Sequence, residues 1–139
     1  KGIPLWWVRR DTTVELEKGQ LTLYPPLGAG EANELGLSVL AGAGGLDLLV
    51  TGDMSGDVEG MLVEHAGLRD VELLVAGHHG SKSSTSKELL EALTPETGII
   101  SVGDNSYGHP TEDALRRLVL ADVEIYRTDK QGTVHLSVN

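Results

Sequence analysis

Apolar residues recur along the chain in two alternating rhythms, one suited to strands and one to helices. Leu21 to Tyr24 reads as a short strand closed by Pro25 and Pro26, which cannot donate to a ladder. Leu35 to Leu40, the Gly42 to Gly45 turn and Leu46 to Thr51 read together as an antiparallel pair. Ser55 can cap a helix whose Val58, Met61, Leu62 and His65 fall at helical spacing, with Gly67 as its stop. Val71 to Ala76 is then a strand, and Ser84 or Ser86 can cap a helix carrying Leu89, Leu90 and Leu93, broken at Thr94 and Pro95. Gly98 to Val102 is predicted as a strand, Thr111 to Leu120 as a helix, Val123 to Arg127 as a strand, and Thr133 to Val138 as a last alternating strand. From Leu46 onward strands and helices alternate, which predicts an α/β fold with a parallel or mixed sheet covered by helices.

The 139 residues suit one domain, since two cores would need more chain. There are no cysteines, so a disulfide scaffold and thiolate metal sites are excluded. No apolar run approaches the roughly 18 residues of a membrane span, and Lys1 to Arg10 lacks the pattern of a signal peptide, so this stretch is expected to be soluble as it stands. The formal net charge of -10 argues against holding nucleic acid by bulk charge; a phosphate substrate would need another attraction.

In such sheets chemistry collects just beyond the carboxyl ends of the strands. There the sequence places Gly52-Asp53, Gly77-His78-His79-Gly80-Ser81-Lys82, Gly103 to Pro110 with Tyr107 and His109, and Thr128-Asp129. Asp53 and the pair His78 and His79 suit Zn, Mn or Fe, and a carboxylate can bridge two ions; Asp53 could equally be a turn or helix cap. Neighbours in an extended segment point to opposite sides, so one of the two histidines is expected to ligate and the other to face substrate or a carbonyl behind the ligands. Ser81 to Thr85 precede a helix start, where free N–H groups attract an anion, and a Ser-rich cap is the plainer reading. His109 could donate to a phosphate or protonate a leaving oxygen, or simply sit in a turn before Pro110. Trp6 and Trp7 could stack on a base if exposed, but the plainer expectation is that they cover an edge of the core. Gly42 to Gly45 lacks the Lys of a phosphate-binding loop and reads as a hairpin turn.

Taken in order, Leu49 to Asp53, Val75 to Ser86, Ile100 to Gly103, Tyr107 to Pro110 and Tyr126 to Asp129 resemble one family: the C-terminal metallo-β-lactamase-fold domain of ComEC-type DNA-uptake competence proteins. The resemblance covers about Asn33 to Gly132, and more loosely Gly2 to Pro26. It implies an αββα sandwich with two divalent metal ions, Zn or Mn, bridged by Asp53 and ligated by His78 or His79, with Ser81, Lys82 and His109 beside the substrate phosphate. It implies a metal-dependent DNase that degrades the non-imported strand, in a domain at the outer face of the cytoplasmic membrane. The family's HxHxDH run is absent from the 139 residues. The expectation is therefore the C-terminal half of the sandwich, inactive alone, whose partners are DNA, the rest of the same polypeptide, or a second copy as a homodimer. A same-fold phosphodiesterase on a cell-surface polymer and a metal-free DNA-binding or structural remnant are the alternatives.

Overall fold

A computed structural model describes residues 2–137. One seven-stranded mixed sheet carries the fold: β1 (Thr12–Leu16), β2 (Gly19–Tyr24), β3 (Ser38–Ala43), β4 (Leu46–Val50), β5 (Leu73–Val75), β6 (Thr97–Ile100) and β7 (Glu124–Arg127). They lie side by side in chain order. The first four are joined as antiparallel hairpins, and β4 to β7 run parallel. The helices are α1 (Gly56–Ala66), α2 (Lys87–Leu93), α3 (Glu112–Leu120) and the single turn α4 (Thr128–Gln131).

Local chemistry explains most boundaries. Gly44 and Gly45, both at positive φ, make the two-residue loop between β3 and β4, so the glycine cluster is indeed a hairpin turn. Gly67 stops α1 in the left-handed region. Of the two serines expected to cap α2, Ser86 does so, its Oγ accepting from the Leu89 amide at 3.2 Å. Thr111 caps α3 in the same way through the Ala114 amide.

Three expectations are corrected. The strand foreseen from Leu35 begins only at Ser38, because it pairs with β2 and Tyr24, the last residue before Pro25, stands opposite Ser38; Ala32–Leu35 is a 3-10 turn. The alternating run Thr133 to Val138 forms no strand over its described part, to Ser137, and Val138 lies outside the described residues. Alternation supplies a face but not a partner, and none of β1 to β7 pairs with this run. Trp6 and Trp7 are 79% and 83% exposed and cover no core edge. Conversely, Thr12–Leu16 is a strand the reading missed: its alternation is diluted by Glu15 and the threonines.

All crossovers from β4 to β7 step in the same direction, and right-handed crossovers that never reverse put every connecting helix on one face of the sheet. On that face Leu49, Leu74 and Ile100 meet Val58 and Leu62 of α1, Leu89, Leu90 and Leu93 of α2 and Leu118 of α3 in one core. Fully burying such side chains stabilises by about 1.5–3 kcal/mol each. The strand register puts Val14, Leu21, Leu23, Val39, Ala41, Leu48, Val50, Leu73, Val75 and Ile99 on the other face. None of these ten is fully buried, and none belongs to the core. The architecture is thus α/β with one helical layer, compatible with half of an αββα sandwich. Among the described residues no helix is long and apolar enough to cross a membrane.

Candidate functional site

The carboxyl ends of β4, β5 and β6 release three loops at one rim, and backbone bonds tie them together. The His78 amide donates to Gly52 O at 3.0 Å, setting the paired histidines beside Asp53. The Thr111 amide and Thr111 Oγ1 both donate to Gly80 O, at 2.9 and 3.1 Å, which draws the Gly103 to Pro110 loop against the histidine loop. Glycine is required at 80 by a φ of 82° and by Pro110, whose Cβ would lie 2.5 Å from an added Cβ.

The histidine segment is not extended. His78 and His79 form a 3-10 turn with φ of 48° and 56°, so the expectation of opposite-facing neighbours fails. Their rings stand 6.3 Å apart at 71°, and the His78 ring lies 5.5 Å from that of His109. Two consecutive non-glycine residues at positive φ cost backbone strain of order 1–3 kcal/mol each, which the surrounding contacts must offset. His79 Nδ1 lies 2.7 Å from Ser101 O. A carbonyl only accepts, so Nδ1 carries the proton, and in the neutral ring the lone pair is on Nε2. His79 is exposed and His78 half-buried.

The loop from Ser81 to Ser86 is gripped from two sides. Glu59 of α1 is fully buried, and its carboxylate accepts from the Thr85 and Ser86 amides at 2.7 and 2.8 Å. Burial holds this carboxyl above its ordinary 4.5, outweighing the lowering pull of those two amides and of the Arg117 guanidinium. Arg117 of α3 donates to the carbonyls of Thr85, Ser84 and Lys82 at 2.9, 2.7 and 3.1 Å. Ser84 Oγ donates to Met54 O, and the Gly56 amide to Ser83 O, fastening the start of α1 to the same loop. Gly77 leaves no space for a side chain: an added Cβ would stand 3.0 Å from Glu59 Oε1 and 3.1 Å from Thr51 Oγ1. That Thr51 oxygen is fully buried and has no hydrogen-bond partner among the described residues.

This grip changes the expected anion site. The amides before α2 already serve Glu59, so the anion held there is the chain's own carboxylate. Ser81 is buried and bonded to Ser83, while Lys82 is exposed with its charge toward solvent. Neither Glu59 nor Arg117 was singled out from sequence. A signal existed: Glu59 lies three residues before Leu62 on the apolar stripe of α1, and Arg117 three after Ala114 on that of α3.

Beyond His79 and His109 opens a cleft of about 520 Å³, walled by Ser101 to Gly103, Asn105, Tyr107 and Thr128. Thr128 Oγ1 accepts from the Val102 amide at 2.8 Å and donates to Val102 O at 2.6 Å. Asp129, foreseen at the rim, is engaged by Arg127 through Nε at 3.0 Å and Nη2 at 2.6 Å; that bonding lowers its pKa from 3.8. The rim therefore brings together the rings of His78, His79 and His109, joins their loop to that of Asp53 through Gly52 O, carries Ser81 and Lys82 next along the chain, and withdraws Asp129.

As a metal centre the rim is incomplete. Catalytic sites take about three protein donors per ion, and among the described residues no three histidine, aspartate or glutamate side chains converge to hold one. Asp53 and an imidazole amount to part of a donor set. These residues do not by themselves fit the two ions that the resemblance implies.

No protein-family model matches the chain. It is 31% identical over 137 residues to ComE operon protein 3 of Bacillus subtilis, which covers 96% of the chain and 18% of that protein. It is 40% identical over 98 residues to competence protein ComA of Neisseria gonorrhoeae, covering 69% of the chain and 14% of ComA. Recombination protein 2 of Haemophilus influenzae is 34% identical over 100 residues, 71% of the chain and 12% of that protein. The chain spans less than a fifth of the length of the curated relatives it matches.

Proposed function

We propose, from the premise that this chain is related over nearly its whole length to a segment of ComEC-type competence proteins, that its rim is one part of a phosphodiester-hydrolysing site acting on DNA. The observation that carries the reading is the bonding of three strand-end loops, through Gly52 O and Gly80 O, into one rim with a carboxylate and three imidazoles. Asp53 and His79 Nε2 offer donors of the kind a hydrolytic metal centre uses, and the remaining donors come from outside these residues. In this reading His109, whose ring lies 5.5 Å from that of His78, exchanges a proton with a leaving oxygen. Lys82 supplies a mobile positive charge for the phosphate. In DNA uptake the task would be degradation of the strand that is not imported, by a domain at the outer face of the cytoplasmic membrane, and the 139 residues alone would be inactive.

The test is cleavage of linear duplex DNA with Mn²⁺ by the chain joined to about 120 residues of its native upstream sequence, the size of a typical domain. Asp53→Ala is expected to lower the rate at least 100-fold, on the order of losing an essential charge at the reacting centre. Equal cleavage by both proteins would sink the reading. Turnover of small phosphodiesters or a phosphorylcholine polymer without DNA cleavage would replace it by a sister hydrolase, and absence of bound metal by a binding module.

A further inference from the structure

Two polar side chains lining the strand-end cleft, those of Asn105 and Thr128, are taken up by the protein itself. Asn105 turns its whole amide inward: Nδ2 donates to Gly103 O and His109 O at 2.9 and 2.8 Å, and Oδ1 accepts from the amides of Tyr107 and His109, both at 3.1 Å. The hydroxyl of Thr128 is bonded to Val102 on both sides, and His79 Nδ1 is held by Ser101 O. Besides the aromatic surface of Tyr107 and His109, the cleft offers a ligand the hydroxyls of Ser101 and Tyr107, the ring nitrogens of His109 and the Nε2 of His79, none of them bonded among the described residues.

Tyr107 supplies that surface. It is 83% exposed although it belongs to a loop fixed by four Asn105 bonds, and its ring lies 6.0 Å from His109 with only 30° between the planes. An exposed aromatic held in place loses little freedom when another ring settles on it. The two rings form a shallow shelf opening on the cleft beside His79. A quaternary ammonium prefers aromatic faces on several sides, as in a cage, which a shelf does not provide. A flat base needs one face.

We propose that Tyr107 is a stacking platform for the nucleobase next to the phosphate held at the rim, an inference that rests on the DNA-hydrolase reading and names how its substrate is gripped. Because stacking engages a face that every base has, the grip on Tyr107 is indifferent to which base is present. The chain would then accept single-stranded or frayed DNA of any sequence, with the base turned out of its stack onto Tyr107.

Aromatic proton spectra of the 139-residue chain, titrated with thymidine 5′-monophosphate, deoxyadenosine 5′-monophosphate, deoxyribose 5-phosphate and phosphocholine, test this directly. Both nucleotides are expected to shift the Tyr107 and His109 ring protons upfield, with affinities within a few-fold of each other, and the sugar phosphate and phosphocholine are not. Tyr107→Ala should weaken nucleotide binding roughly 5- to 100-fold, the range of one stacked base, while Tyr107→Trp keeps it. Equal shifts from deoxyribose 5-phosphate, tighter binding of phosphocholine, or unchanged nucleotide affinity in Tyr107→Ala each overturn the platform. Nucleotide binding through Tyr107 by a chain whose longer form cleaves no DNA would leave the platform standing and remove the hydrolase reading. DNA cleavage with an unchanged KM in Tyr107→Ala would do the reverse.

Discussion

The two faces of the sheet are made from the same kinds of residue and end in opposite situations. Leu74 is fully buried under α1 and α2, whereas Leu73 and Val75, its neighbours in the chain, face a side with no helix. At β1 and β2 the contrast is written into the sequence: Thr13, Glu15, Gln20 and Thr22 take the helix side, and Val14, Leu21 and Leu23 take the bare one. A strand directs its apolar set toward whatever is to be kept dry. The bare face is therefore composed as an interior, and the helices guard only one of two interiors that this sequence encodes.

Leu74→Ala and Leu73→Ala, made separately, probe that contrast most strongly. The first should cost about 2–5 kcal/mol in urea unfolding and the second less than about 1. Equal losses would show that the bare face is covered in solution, and sedimentation would then reveal whether a second copy covers it. Glu59→Gln asks how far order on the helical side reaches the rim. Replacing one carboxylate oxygen by an amide leaves a buried backbone N–H without an acceptor, at about 1–3 kcal/mol, with faster hydrogen exchange at Thr85 and Ser86. Unchanged exchange there would detach the rim from α1.

The smallest expected effect is a slope. Burial raises the Glu59 pKa above 4.5, so the folded chain holds this proton more tightly than the unfolded one. Its contribution to stability is greatest below pH 4.5 and declines as pH rises through the folded value. The urea midpoint of Glu59→Gln should lack that decline relative to the unaltered chain; identical pH profiles for the two would contradict it.

Much of this was legible in the residues. Strand-end placement put Asp53, His78, His79 and His109 on loops of one rim before those loops were seen bonded together, because the alternation from Leu46 onward fixes which ends carry loops. The turn at His78 and His79 was not legible, since its two left-handed residues are held by Gly52 O, which accepts from the His78 amide, and by Ser101 O at His79 Nδ1, both far away in sequence. Glu59 itself hid as a helix surface residue; only its position on the apolar stripe marked it. The run from Thr133 had the alternation of a strand and lacked a neighbour to pair with, which no local pattern reveals.

The strand order β1 to β7 has a consequence for how the molecule comes into being. Each strand finds its neighbour already made, so no strand waits for a distant later one and loop closure stays short at every step. The sheet can grow from its first hairpin in the direction of synthesis, each added helix sealing the strand just laid down. Such an order lets the sheet assemble as a zip, strand by strand.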